Sequence, residues 1–194
     1  MRGVMRVIAG TLRGRRLKTP SWEGLRPTSD KLRETLFNIL AARVGGARVL
    51  DAYAGTGALG IEALSRGAGW VTFIDEDRRA QALIAENLTL CGIENVYAII
   101  RAKVALALDR LGETPAFEPF DIVLLDPPYA AQSRDDLEPI LNAAGRLLAP
   151  TGVLVLEHAR RHQGPETAGQ LVRSRDVISG DSALAFYEVQ RHKE

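Results

Sequence analysis

The period of hydrophobic and polar positions changes near residue 47. From there on, short apolar runs alternate with amphipathic stretches. The runs at 48–52 (RVLDA), 70–74 (WVTFI), 96–100 (VYAII), 121–125 (DIVLL) and 152–157 (GVLVLE) read as strands. Helix patterns lie between them, near 58–66, 77–91, 103–111 and 134–148. Repeated strand–helix units predict a parallel sheet with helices on both faces. Two later apolar segments, 170–178 and 183–190, flank a Gly180-Asp181 turn. They predict a terminal antiparallel pair that closes one sheet edge.

The first 45 residues follow a different pattern. Residues 5–19 predict a β-hairpin, in which Val7-Ile8-Ala9 meets Gly10, then Arg13-Gly14-Arg15, then a second strand near Leu17. Residues 20–28 form a connector containing Pro20, Gly24 and Pro27. A helix starts at Ser29 or Asp30, both suitable caps. Leu32, Leu36, Ile39 and Leu40 make its apolar face, and Lys31, Glu34 and Asn38 lie on a face turned to solvent or a partner. Gly45-Gly46 is the one candidate boundary, dividing an extension, 1–45, from a catalytic domain, 46–194. Trp70 and Cys91 read as core.

Composition narrows the function. The 194 residues are 46% hydrophobic and 25% charged, ordinary values for a globular protein with one domain and a small appendage. A single cysteine excludes a disulfide framework and a cysteine-rich zinc site. His158 and His162 are four apart but have no convincing third ligand, so no metal is expected. No apolar run reaches the ~20 residues of a membrane span and no leader pattern opens the chain, so a cytoplasmic location is expected. The formal charge of +1 conceals an asymmetry: residues 1–48 carry eleven bases and three acids, a balance of +8, and the rest carries −7. Such a split suggests a basic surface for a polyanion on an acidic body.

Residues 49–60 read VLDAYAGTGALG, a strand, a glycine turn and the start of a helix. Gly55, Gly57 and Gly60 satisfy G-x-G-x-x-G, and Asp75 follows Gly55 by 20 residues at the end of the second strand. That matches a dinucleotide fingerprint whose acid holds ribose hydroxyls. Asp51, at the end of the first strand, is expected to point into the ligand crevice. There its charge would oppose a pyrophosphate and attract a sulfonium and an ammonium. S-adenosylmethionine carries both cations and no phosphate, whereas NAD is the less favoured cofactor. The expected contacts are Asp51, Ala52, Gly55, Thr56, Gly57, Asp75 and Glu76, together with Asp126.

The strand 121–125 runs into Asp126-Pro127-Pro128-Tyr129. The carboxyl end of a parallel strand is where open α/β sheets bind ligands. Two prolines stiffen the turn, and the Pro127 carbonyl is expected to be free to accept a hydrogen bond. Asp126 adds carboxylate acceptors, and Tyr129 adds a face on which a base can stack. Methylation of an exocyclic amine such as guanine N2 or adenine N6 needs this set. Acceptors aimed at the amine hydrogens push its lone pair out of the ring and stabilise the charge that develops.

The [DN]-P-P-[YF] pattern resembles the signature of amino-methyltransferases acting on nucleic-acid bases. Beyond it, R-V-I-A-G-T-L-R-G-R-R-L (6–17), L-R-P-T-S-D-K-L-R-E-T-L-F-N (25–38) and D-A-Y-A-G-T-G-A-L-G-I-E-A-L-S-R-G-A (51–68) resemble the RsmD family of 16S rRNA guanine-N2 methyltransferases over nearly the whole chain. The resemblance implies a Rossmann-like class I methyltransferase, with a seven-stranded, mostly parallel sheet and an antiparallel C-terminal strand. It also implies S-adenosylmethionine as cofactor and one guanine of 16S rRNA, within the 30S subunit or its precursor, as substrate. One departure is plain: Ile100-Arg101-Ala102-Lys103 stands where many relatives carry Asp or Asn before Ala. No adenine contact is assigned there.

The candidate catalytic residues are therefore Asp126, Pro127 and Tyr129. Arg13, Arg15 and Arg16 at the hairpin tip, with Arg26, Lys31 and Arg33, are the candidate RNA contacts. Thr28 and Glu34 share that segment, and Glu157-His158 ends the fifth strand near the crevice. A monomer is expected. Two other readings remain: a DNA adenine-N6 methyltransferase, and a non-catalytic RNA-binding assembly factor.

Overall fold

The computed structural model describes residues 5–20, 22, 28–128 and 131–190. After helices α1 (Asp30–Ile39) and α2 (Ala41–Val44), strands and helices alternate as β1 (Arg48–Ala52), α3 (Ala58–Ser65), β2 (Trp70–Asp75), α4 (Arg78–Cys91) and β3 (Tyr97–Arg101). They continue as α5 (Val104–Gly112), β4 (Phe120–Leu125), α6 (Arg134–Arg146) and β5 (Leu148–Ala159). Three further strands, β6 (Thr167–Ala168), β7 (Leu171–Ser179) and β8 (Ser182–Val189), finish the chain.

The sheet order is β3-β2-β1-β4-β5-β8-β7-β6. The first five strands are mutually parallel. β8 runs antiparallel to β5, and β7 antiparallel to β8. The last strand therefore inserts beside β5 and β7 lies outside it. The sheet has one strand more than the seven expected, because the two-residue β6 pairs with β7 at the edge.

Alternation along the buried strands divides the core in two. Val49, Val71, Phe73, Ile122 and Val155 pack with α1, α3 and α4, whereas Leu50, Ala52, Ile74, Val123 and Leu156 pack with α5 and α6. The first half also takes in Met5, Val7, Leu17, Leu32, Leu36, Phe37 and Leu40, so the N-terminal segment shares the core of the sheet. Trp70, expected in the core, is only half-buried, with its indole N–H on the Thr72 hydroxyl.

The N-terminal hairpin is shorter than expected. It is a short antiparallel pairing centred on the Arg6–Arg16 bridge, in which Val7 N–H donates to the Arg15 carbonyl, Gly14 N–H to the Val7 carbonyl and Leu17 N–H to the Met5 carbonyl, each at 2.9 Å. Beyond Val7 the chain turns to α3, where the N–H groups of Ile8 and Ala9 donate to the buried Glu62 carboxylate at 2.7 and 3.0 Å. Gly10, at φ +83°, sits so close to α3 that a Cβ there would lie 1.9 Å from the Ser65 carbonyl oxygen.

Helix α1 starts from Ser29, whose hydroxyl accepts from Leu32 N–H. Leu32, Leu36 and Leu40 of the expected face are buried and Ile39 packs partly buried against the same core, while Arg33 and Phe37 widen the buried face beyond what periodicity suggested.

Candidate active site

A cavity of about 1090 Å³ opens at the carboxyl ends of β1, β2, β4 and β5. Tyr53 lines it after β1, Asp75 to Asp77 after β2, Lys103 to Ala105 before and in α5, and Asp126 to Pro128 after β4. Glu157 of β5, Ser29, Lys31, Ala131, Ile140 of α6 and the β7–β8 turn, Ser179 to Ser182, complete its wall.

The glycine loop is held by its own neighbourhood. Gly57 caps α3 in the left-handed region at φ +75°. Gly60 lets α3 lie on β2, since a Cβ there would sit 2.2 Å from Cε1 of Phe73. The Asp51 carboxylate accepts the Gly60 N–H at 2.8 Å. Asp51 shares the face of Val49, so it points beneath the loop and not into the crevice, correcting the expected orientation. Burial pushes its pKa up to about 7; the Gly60 hydrogen bond opposes this and the nearby Asp75 adds to it. The acidic wall that a ligand meets is instead Asp75, Glu76 and Asp77.

Asp75 accepts from Gly55 N–H and Asp77 N–H, each at 2.9 Å, one on each carboxylate oxygen. A carboxylate has about four acceptor positions, so it keeps capacity toward the cavity. Ala52, Gly55, Thr56 and Gly57 lie outside the lining. Thr56 is buried, and its carbonyl accepts from Asn87 Nδ2 at 2.9 Å. Asn87 also takes the Lys18 N–H at 2.7 Å, joining the loop to the N-terminal segment. Tyr53 sits at φ +63°, a costly conformation for a bulky side chain.

The turn after β4 is held from far along the chain. The Thr28 hydroxyl lies 3.3 Å from Asp126 Oδ2 and 3.0 Å from Glu157 Oε2. The Asp126 carboxyl is pushed well above the usual carboxylate range by burial and by the Glu157 charge, with Asp51 adding; the Thr28 hydroxyl opposes the shift. The Pro127 carbonyl is not free as expected, because Gln132 Nε2 donates to it at 2.9 Å. Gln132 is itself buried, and its Oε1 accepts Ala159 N–H at 2.9 Å, tying the turn to the end of β5. Tyr129 lies outside the described residues, as does Arg26.

Of the expected RNA contacts, Arg13, Arg15 and Arg16 are exposed, and Lys31 is exposed at the cavity wall. Arg33 is corrected: it is fully buried and donates to the Arg6 carbonyl at 2.6 Å and Asp30 Oδ1 at 2.9 Å. It lies on the stripe shared with Leu36 and Phe37, which carries it inward. Among the described residues, no group of three or more His, Cys, Asp or Glu could hold a metal ion. His158 is buried, with Nδ1 at 3.0 Å from the Ala159 carbonyl oxygen.

A family model, "Conserved hypothetical protein 95", that of the RsmD family, matches residues 5–188. The chain belongs to this family. It is 36% identical to "Putative rRNA methyltransferase YlbH" of Bacillus subtilis (strain 168), over 95% of this chain and 98% of that protein. It is 33% identical to "Ribosomal RNA small subunit methyltransferase D" of Escherichia coli (strain K12), over 99% and 93%. The solved structure of "Putative methyltransferase yhhF from Escherichia coli" superposes with a TM-score of 0.80 at 31% identity, covering 98% of this chain and all of that one. The RsmD-family fold is thus the S-adenosylmethionine-dependent methyltransferase fold that the resemblance implied.

Residues that sequence reasoning passed over include Gln132, Asn87 and Tyr53. Gln132 and Asn87 carry no motif, and their partners lie on other elements. Tyr53 stands within the glycine stretch, but only its positive φ marks it.

Proposed function

We propose that this RsmD-family protein transfers a methyl group to the N2 amine of one guanine in 16S rRNA, within the 30S subunit or a late precursor. The observation that carries the reading is Asp126, at the carboxyl end of β4, beside a cavity walled on its β2 side by Asp75, Glu76 and Asp77. That wall suits ribose hydroxyls and a cationic ligand and opposes a pyrophosphate. S-adenosylmethionine fits this chemistry, with Asp75 and Glu76 as its holders, and when bound it supplies an electrophilic methyl on a sulfonium.

The guanine amine is a poor nucleophile because its lone pair is delocalised into the ring. Asp126 accepts one amine hydrogen. The Pro127 carbonyl, which keeps a second lone pair beside its Gln132 bond, accepts the other. Both acceptors favour a tetrahedral nitrogen and stabilise the positive charge that grows on it. With S-adenosylmethionine bound, the N–CH3 bond would form as the sulfonium C–S bond breaks with its electron pair going to sulfur, and Asp126 would take one N–H proton, leaving a neutral methylamine and a neutral thioether. The raised Asp126 pKa suits it to that proton. The target base must leave its stack to reach this depth, with Tyr129 assigned to stack on it. Arg13, Arg15, Arg16 and Lys31 contact phosphates and carry little sequence information. A monomer working in the cytoplasm suits this role; no helix of the described residues is long and apolar enough to cross a membrane.

The test is methyl transfer from labelled S-adenosylmethionine to 30S particles, naked 16S rRNA and duplex DNA, followed by nucleoside mass spectrometry. N2-methylguanosine from 30S particles is expected. N6-methyladenine in the DNA arm would replace this reading, and absence of S-adenosylmethionine binding by calorimetry would end the enzymatic one.

A further inference from the structure

We propose that Asn87 is a positioning residue for the cofactor: its amide, aimed by the backbone of the N-terminal segment, holds the glycine loop so that Asp75 stays set to take the ribose. This rests on the cofactor reading above, in which Asp75 is a holder of S-adenosylmethionine. Asn87 is fully buried on α4. Its Oδ1 accepts the Lys18 N–H at 2.7 Å, and its Nδ2 donates to the Lys18 carbonyl at 3.2 Å and to the Thr56 carbonyl at 2.9 Å. Both amide hydrogens are thereby used. The pairing with Lys18 runs in both directions, which leaves the amide one orientation. Exchanging its O and N would set donor against donor at Lys18 N–H and oxygen against oxygen at both carbonyls. Lys18 thus aims the hydrogen that reaches Thr56.

The N-terminal segment meets the same loop residue a second time, because the Thr56 hydroxyl donates to Met5 Sδ at 3.6 Å. Thr56 belongs to a tight turn, closed by Gly57 N–H donating to the Ala54 carbonyl at 2.7 Å. From this turn Gly55 N–H donates to Asp75 Oδ2 at 2.9 Å. The β2–α4 unit therefore holds two successive loop residues, Gly55 by its N–H and Thr56 by its carbonyl. A turn closed by its own hydrogen bond shifts as a unit, so the grip on Thr56 and the bond to Asp75 are set together. Asp75 lines the cavity and Asn87 does not. The effect of Asn87 on a ligand therefore passes through the loop to Asp75, and its mark is a change in how well ribose hydroxyls are recognised.

The experiment is calorimetry on the full chain with two ligands, S-adenosylhomocysteine and the same molecule lacking both ribose hydroxyls. The wild type is expected to bind the hydroxylated ligand more tightly by roughly tenfold or more, as hydrogen bonds to a charged group imply. Asn87→Ala is expected to reduce that preference to about threefold or less, with the affinity for the dideoxy ligand little changed. The ratio measures coupling between Asn87 and the hydroxyls, and a general loosening of the fold does not move it. Asn87→Asp, nearly the same in shape, keeps an acceptor for Lys18 N–H and loses both donors. It is expected to lose the preference in the same way, and it serves where Asn87→Ala does not fold. Equal binding of the two ligands by the wild type overturns the proposal with no variant needed. So does a variant that weakens both ligands by the same factor or keeps the wild-type preference. Failure of the wild type to bind S-adenosylhomocysteine at all overturns the cofactor reading, and this one with it, by a different readout.

Discussion

The glycine loop after β1 and the Asp126–Pro128 turn after β4 stand at the same end of the same sheet, yet they are built differently. The loop is held mainly from the β1–α4 stretch that contains it: Asp51 grips Gly60 nine positions on, Asp75 grips Gly55 and Asn87 grips Thr56, with Lys18 a more distant tie. The turn is held by Thr28, 98 positions before Asp126, by Glu157 on the next strand, and by Gln132, which reaches both Pro127 and Ala159. A locally determined loop suits a cofactor shared by many enzymes of one fold. A turn assembled from distant segments lets each chain set the chemistry and the substrate independently.

Five substitutions test that difference. The largest expected effect is Asp126→Ala: loss of one preorganised acceptor should lower kcat by roughly 10²–10³ while cofactor and RNA affinity persist. Retained turnover would remove Asp126 from the proposed chemistry. Gly60→Val forces a branched side chain into the Phe73 ring and should cost about 3 kcal/mol, a melting temperature lower by roughly 6–12 °C. Cofactor binding should weaken with it, because α3 can no longer seat the loop; a stable Gly60→Val protein would show that the loop is less constrained than its packing implies.

Gln132→Ala touches only the turn. It leaves the Pro127 carbonyl and the Ala159 N–H without this partner, at about 1–3 kcal/mol. Its signature is a lower kcat with unchanged cofactor affinity by calorimetry, which separates a positioning role from a general loss of fold.

Thr28→Val removes the hydroxyl that favours the ionised Asp126. The Asp126 pKa should rise further, so the ascending limb of the rate profile should move to higher pH. A profile that stays in place would mean that the titrating group is not Asp126. The smallest effect belongs to Asp51. Its folded pKa of about 7 lies above the usual carboxylate range, so the folded protein keeps a proton that the unfolded chain has released. Its contribution to stability is therefore full at acidic pH and declines as pH rises toward 7. Asp51→Asn should flatten that decline in urea titrations across pH 5–8.

Much of this is legible in the sequence. The strand at 48–52 was read at its observed bounds, and the Asp-Pro-Pro turn fell at the end of a parallel strand as expected. The failures share one cause. Arg33 looked like an RNA contact because it is charged, but the helix turns it inward onto the Arg6 carbonyl. Asp51 looked like a ligand contact because it stands at a strand end, but alternation along β1 sends it under the loop. The Pro127 carbonyl looked free because no neighbour in sequence claims it, and Gln132 claims it across the turn.

By itself the sequence determined the main alternation of strands and helices, the glycine turn and the Asp-Pro-Pro turn at the end of β4. Each of these follows from period, backbone freedom or residue type within a few positions. Tertiary structure alone decided which polar groups meet. Hydrogen bonds act over about 3 Å, and the segments carrying Thr28, Asp126, Gln132 and Glu157 come within that range only after the sheet has formed.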